Sequence, residues 1–249
     1  EDDAGLPPFL YSTGDNIGVM PVNRAEMVEQ VADHLGFDLE DTFVLRPPAG
    51  GDASTFSPKV PTPCTVAEYL SLYAELTLPP RRDVMRVLAT FAEDTSEREE
   101  LYQMSKKKNY DKFRESISKE HLGLADIITN YYPSIQISLA DFIQICTPLQ
   151  PRWYSASSSS LASPHALSLT FDVITIPRAL DGSFCLGACS HHMANLLVGE
   201  SCRIMKLGTS GFVLPLSPKT PLLMVANGTG VAPMRALCQE RFYQKKMGL

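Results

Sequence analysis

The stretch Leu149-Gln-Pro-Arg-Trp-Tyr-Ser-Ala-Ser-Ser-Ser-Ser160 decides the reading of this chain. Within four residues, Arg152, Tyr154 and Ser155 bring together a guanidinium that can fork onto a pyrophosphate, a phenol ring that can lie flat on an isoalloxazine, and a hydroxyl that can reach a reactive nitrogen. Strand alternation sends Arg152 and Tyr154 to one face and Ser155 to the other, unless the strand ends there and bends. The Ser/Ala run that follows permits such a bend. Taken alone, the four residues are equally compatible with an ordinary strand entering a serine-rich loop.

Two downstream motifs weigh against the ordinary strand. In Cys185-Leu-Gly-Ala-Cys-Ser-His-His-Met-Ala-Asn-Leu-Leu197, small residues at Gly187, Ala188 and Cys189 precede Ser190 and a helically spaced run, Met193, Leu196 and Leu197. A helix start of this kind offers backbone N–H groups and the positive end of a dipole to an anion, and Ser190 can add a hydroxyl. A capped amphipathic helix without ligand has the same look. The second motif, Pro221-Leu-Leu-Met-Val-Ala-Asn-Gly-Thr-Gly-Val-Ala-Pro-Met-Arg-Ala-Leu-Cys-Gln-Glu-Arg241, reads as an apolar strand, a Gly-Thr-Gly turn and a helix opening around Pro233, the first βα unit of a nucleotide-binding sheet. It lacks the spacing Gly-x-Gly-x-x-Gly, so its force comes from its position.

In this order, Arg-x-Tyr-Ser, the Gly-x-x-Ser helix start and Gly-Thr-Gly-Val-Ala-Pro with Gln-Glu-Arg resemble the NADPH-dependent diflavin reductases, the class of cytochrome reductase, sulfite reductase flavoprotein and methionine synthase reductase. Gly14-Asp-Asn-Ile-Gly-Val-Met-Pro-Val-Asn23 resembles the strand that opens onto their helical connecting domain. The resemblance runs from about Tyr11 to Gly248. It implies an α+β fold: an antiparallel β-barrel FAD-binding domain over 1–21 and 148–218, an inserted all-helical connecting domain over 22–147, and the beginning of an α/β NADPH-binding domain over 219–249.

The resemblance also implies site residues. Arg152 binds the FAD pyrophosphate, with Trp153 beside it; Tyr154 stacks on the flavin; Ser155, the catalytic candidate, hydrogen-bonds near N5, where hydride arrives. Leu169-Thr-Phe-Asp-Val-Ile174 matches the next flavin-contacting strand, with Thr170, Phe171 and Asp172 lending backbone groups. Gly187, Ala188, Cys189 and Ser190 match the phosphate turn, and Thr229 matches a threonine near the NADPH phosphates. Three positions depart from the family pattern: Ile176 where an aromatic often meets adenine, Leu122 near a basic position, and Asp172 where an apolar residue is usual.

By the same resemblance the cofactors are FAD and NADPH, with FMN in a domain preceding residue 1 and most of the NADPH domain following Leu249. The partners are that FMN domain and a downstream electron-acceptor protein, in the cytoplasm or, given an upstream anchor, at the cytoplasmic face of the endoplasmic reticulum. The chain taken alone is then expected to oxidise NADPH poorly. Two further readings stay open: a reductase-like scaffold without flavin, and a single-flavin reductase of the ferredoxin–NADP type. The helical insertion distinguishes the chain from the latter.

Composition agrees with a globular chain. Its 249 residues are 44% hydrophobic, enough for one large or two modest domains. Net charge, 22 − 28 = −6, argues against a nucleic-acid surface. No apolar run approaches the roughly 20 residues of a membrane span. Cys185, Cys189, His191, His192 and Cys202 raise zinc as a possibility, but adjacent histidines on a helix point about 100° apart, and no metal site is expected.

Between the flavin motifs the spacing predicts helices. Asn23-Arg-Ala-Glu26 and Thr65-Val-Ala-Glu68 read as capping boxes, with Gly36 ending the first helix and the second running to about Leu76. A third helix carries Val84 to Phe91, a fourth Glu97 to Met104, a fifth Tyr110 to Tyr131, and a sixth starts at Ser138. The Pro/Gly/Ser-rich loop Arg46 to Pro63 separates the first two.

Overall fold

β-Branched Ile17 and Val19, both fully buried, suit the middle of a sheet, and Asn16-Ile-Gly-Val19 forms its central strand. The computed structural model describes residues 9–47, 60–207 and 211–248. In chain order, β1 (Asn16–Val19) is followed by α1 (Ala25–Leu35), β2 (Thr42–Phe43), β3 (Cys64–Thr65), α2 (Val66–Leu72), α3 (Arg82–Phe91) and α4 (Thr95–Ser105). Next come α5 (Tyr110–Phe113), continued by a π-helical turn at Arg114–Ser118, α6 (Leu124–Asp126), continued by another at Ile127–Tyr131, and α7 (Leu139–Ile145). Then follow β4 (Arg152–Ser155), β5 (Thr175–Pro177), β6 (Phe184–Leu186), α8 (Ala188–Asn195), β7 (Ile204–Leu207) and α9 (Val231–Met247). This mixture of helix and sheet divides into two units, Glu1–Met20 with Pro151–Val173 and Leu197–Leu249, and Pro21–Gln150 with Ile174–Leu196.

In the first unit β1 lies between β4 and β7, antiparallel to both, with Val19 opposite Arg152, Ile17 opposite Tyr154 and Asn16 opposite Ser155. Ile17 packs with Tyr11 and Ala156, and Leu167 and Leu169 close over them. The sheet does not close into a barrel among the described residues. Two expected strands are absent among the described residues as well. Residues 169–174 make only a single bridge, Leu169 to Ala156, and the stretch 221–226 has no strand partner among the described residues. Apolar sequence defines a strand only when neighbours complete its ladder.

The serine run after β4 is a buried polar junction. Ser158 Oγ bonds Tyr11 Oη at 2.7 Å and accepts Ser168 N–H at 2.9 Å. Ser159 N–H donates to Gln239 Oε1 at 2.8 Å, and its hydroxyl donates to Glu240 Oε2 at 3.1 Å. Thr13 Oγ1 also donates to Glu240, and Arg235 to the Ser157 carbonyl. The buried hydroxyls of Ser158 and Ser159 thus have the partners their desolvation requires.

The second unit has a helical core. Val28, Val31, Ala32 and Leu35 form one stripe of α1, and Leu70, Met85, Leu88, Leu101, Ile127, Ile128 and Phe142 are fully buried. Each such large side chain stabilises the fold by about 1.5–3 kcal/mol. Phe142 meets Phe37 and Tyr69 edge to face at centroid distances of 5.9 and 6.4 Å.

Helix ends show where local signals hold. Thr65 and Glu68 make the reciprocal capping box, Ser138 caps α7, and Gly36, with φ 67°, ends α1 in the left-handed conformation. Asn23 does not cap α1. The cap position is Arg24, and Asn23 is buried, its Nδ2 donating to the carbonyls of Leu70 and Ala74 at 2.7 Å each. These two tertiary bonds from Nδ2 hold the side chain against α2, and its Oδ1 accepts no N–H of α1. The expected helix through Tyr110–Tyr131 is broken at 119–123, where His121 takes φ 51° and Asp126 accepts Gly123 N–H at 2.9 Å to start a new helix. α2 stops at Leu72, short of Leu76, with Tyr73 as its cap.

Candidate functional site

In the sheet unit, β4 presents the Arg-x-Tyr-Ser residues. Ser155 Oγ lies 3.4 Å from Asn16 Oδ1, its partner in register, and Trp153, on the same face, covers Gly18 beside Met205. Arg152 and Tyr154 therefore project from the opposite face, both half-buried. The Tyr154 ring meets Phe171 at 6.1 Å with an interplanar angle of 67°, so an edge contact limits the rotation of the phenol. Thr170 and Phe171 are half-buried and Asp172 is exposed, all three on the irregular segment after the Leu169 bridge. Asp15, 1% exposed, accepts Ser12 N–H at 2.7 Å and pairs with Lys206 at 3.3 Å, which ties β1 to β7.

Thr229 is exposed in a 3₁₀ turn, Gly228–Gly230, immediately before α9. Arg235 donates to the Ser157 carbonyl, and Arg241 to that of Ser217 at 3.2 Å.

In the helical unit, Gly187 caps α8, and the first intrahelical bond runs from His191 N–H to Gly187 O at 3.0 Å. The N–H groups of Ala188 and Ser190 precede that bond, at the positive end of the helix. Ser190 Oγ is turned inward: it accepts Ile174 N–H at 3.1 Å and donates to Gly187 O at 3.3 Å. Gly187 N–H returns to Ile174 O at 2.9 Å. A Cβ on Gly187 would stand 2.7 Å from Ser190 Oγ and 2.9 Å from Ile174 Cβ, so only glycine fits this turn.

The turn follows the β5–β6 hairpin, whose Arg178 pairs with Asp126 at 2.6 Å. Burial works against the charge of this guanidinium, and the bonds and charge of Asp126 outweigh it, holding Arg178 above its ordinary value. Tyr131 Oη donates to Asp181 at 2.6 Å; that bond and those from Ser183 hold the carboxyl at about 2. Sequence reasoning passed over Arg178, since nothing local links it to an aspartate so distant in the chain. The Ser/Ala run after β4, which permits a bend, is also a buried junction, and that burial comes from partners distant in the chain. Among the described residues no three His, Cys, Asp or Glu side chains gather as a metal site requires.

A family profile described as FAD binding domain matches residues 4–192. The chain belongs to the FAD binding domain family. Relatives of this FAD-binding chain include the bifunctional cytochrome P450/NADPH–P450 reductase 2 of Bacillus subtilis (strain 168), 30% identical over 96% of this chain and 22% of that protein. NADPH-dependent diflavin oxidoreductase 1 of Danio rerio is 30% identical over 95% of this chain and 40% of its own length. The inducible nitric oxide synthase of Sus scrofa is 28% identical over 94% and 20%. The chain thus spans 40% or less of the length of these relatives.

Each unit by itself carries groups whose chemistry suits part of FAD. In the sheet unit a half-buried guanidinium suits a phosphate group and a ring held at its edge suits stacking; in the helical unit a helix start with small side chains suits an anion. No helix of the described residues is long and apolar enough to cross a membrane.

Proposed function

We propose that this chain is the FAD-binding portion of an NADPH-dependent diflavin oxidoreductase that takes hydride from NADPH and passes electrons, through FMN, to a protein acceptor. The observation that carries the reading is the FAD-binding family match over residues 4–192. FAD, when bound, supplies a carrier that accepts a hydride and releases electrons singly.

The chain's own residues bind and orient. Arg152 offers its guanidinium to the pyrophosphate, and Tyr154 fixes the plane of the flavin ring, itself restrained by Phe171. Ser155, the last residue of β4 and on the face opposite Tyr154, supplies a hydroxyl near N5 by turning from Asn16 Oδ1, 3.4 Å away, where the chain leaves the strand for the serine run. At the start of α8 the phosphate ligands are backbone N–H groups, because the Ser190 hydroxyl is engaged within the turn that it shapes. Thr229, in its exposed turn, lies on the NADPH side of the reading.

On this reading the β-rich FAD domain comprises 1–21 and 148–218 and is a barrel in the complete fold, 22–147 is the connecting domain, and 219–249 begins the NADPH domain. The test is flavin reduction by NADPH in the full-length protein. Ser155→Ala should slow it by about tenfold or more while leaving FAD content unchanged. Absence of NADPH-dependent flavin reduction in the full-length wild type would refute the oxidoreductase reading.

A further inference from the structure

Arg178 makes more directed bonds than a surface hairpin needs. Nη1 and Nη2 fork onto Asp126, at 3.1 Å to Oδ1 and 2.6 Å to Oδ2. Nε donates to Glu120 O at 3.1 Å and Nη2 to His121 O at 3.2 Å, while Ser183 Oγ lies 3.4 Å from Nη1. The two side chains are only 9% and 17% exposed. Asp126 is fixed in turn by Gly123 N–H. Two further bonds reach the hairpin tip, Leu180 N–H to Glu120 Oε2 at 3.0 Å and Tyr131 Oη to Asp181.

A buried ion pair contributes little net stability compared with an apolar contact of equal size, but it fixes geometry through the directions of its hydrogen bonds. What it fixes here is the hairpin that carries the α8 turn at both ends. β6 leads directly into Gly187, and Ile174, just before β5, bonds both Ser190 Oγ and Gly187 N–H. A cradle of backbone N–H groups binds an anion well only when it is already arranged; otherwise binding must supply the ordering cost.

We propose that Arg178, with Asp126, is a positioning residue for the Gly187–Ser190 turn: it anchors the β5–β6 hairpin to residues 120–126 and thereby holds the phosphate-binding N–H groups in place. This rests on the FAD reading above. Arg178 touches no cofactor atom in this account.

The test compares FAD with riboflavin, which lacks phosphate, by titrating the apoprotein, and follows amide exchange across 175–195. Arg178→Met should raise the FAD Kd by about tenfold, leave the riboflavin Kd within about twofold, and speed exchange across 175–195 with α1 and α3 unchanged. Arg178→Lys, which keeps the charge and loses the fork, should recover part of the FAD affinity. If Arg178→Met does not fold, Asp126→Asn is read in the same way.

Equal FAD affinity in wild type and variant overturns the proposal, as does an equal loss for FAD and riboflavin, which marks a general structural defect. If the wild type binds no FAD, the cofactor reading falls. Exchange then judges the anchor by itself: unchanged exchange across 175–195 overturns it, and faster exchange confined there supports it.

Discussion

Gly187→Ala puts the tightest turn of the candidate site to a quantitative test. The glycine has φ −62° and ψ 117°, which alanine adopts freely, so the backbone contributes no strain. The cost is steric: the new methyl would stand 2.7 Å from Ser190 Oγ, which two hydrogen bonds hold in place, and 2.9 Å from Ile174 Cβ, which is fixed to its backbone. Overpacking of this kind costs about 1–3 kcal/mol. Displacing Ser190 Oγ also weakens its bonds to Ile174 N–H and Gly187 O, at about 0.5–1.5 kcal/mol each. The reduced freedom of the unfolded chain returns about 0.4–1 kcal/mol. The net loss is about 1–5 kcal/mol, measured by urea denaturation followed by far-UV circular dichroism. Ser190→Ala removes one of the two clashing atoms, so the double variant should be less destabilised than the sum of the singles, by about 1 kcal/mol. A Gly187→Ala protein within about 0.5 kcal/mol of wild type, or strict additivity in the cycle, would refute the packing argument.

Other outcomes are expected. Asp94 accepts the N–H groups of Ser96 and Glu97 at 2.8 and 2.9 Å, so Asp94→Ala should cost about 1 kcal/mol in the same denaturation assay, whereas Asn23→Ala should leave the start of α1 intact and loosen its contact with α2. Burial pushes the Cys146 thiol up to about 12 and raises Cys64 as well, so at pH 8 a maleimide should label exposed Cys238 and spare both until the protein unfolds, as read by mass spectrometry. The Asp181 carboxyl, held at about 2 against an ordinary 3.8 chiefly by the Tyr131 hydroxyl, lends its stabilisation fully above about pH 4 and loses it as pH falls through 2; carboxyl NMR titration should show this, and Tyr131→Phe should move the value back toward 3.8.

The parts of the structure legible in the sequence are those set by neighbours in the chain. The Thr65 box, the Ser138 cap and the Gly36 stop each depend on atoms within a turn or two, and residue type specifies them. Asn23 has the same local pattern as Thr65, yet carbonyls of α2 and its end, brought near only by folding, take its amide. Strands fared worse for the same reason. Leu169–Ile174 and Pro221–Ala226 have strand-like apolar sequence, but pairing is a property of two segments, and neither becomes a ladder among the described residues. In the candidate site, Arg152, Tyr154 and Ser155 lie on a strand with the alternation expected of them. The inward turn of the Ser190 hydroxyl and the Arg178 anchor are set by contacts that sequence spacing does not encode.

The measurement that bears most directly on the central claim is the visible absorption spectrum of the purified chain after FAD is added and the sample desalted, with the Arg152→Ala, Tyr154→Ala double variant alongside. The account predicts retained flavin bands in the wild type and their loss in the variant. A colourless wild type, or a variant that retains as much flavin as the wild type, would contradict it.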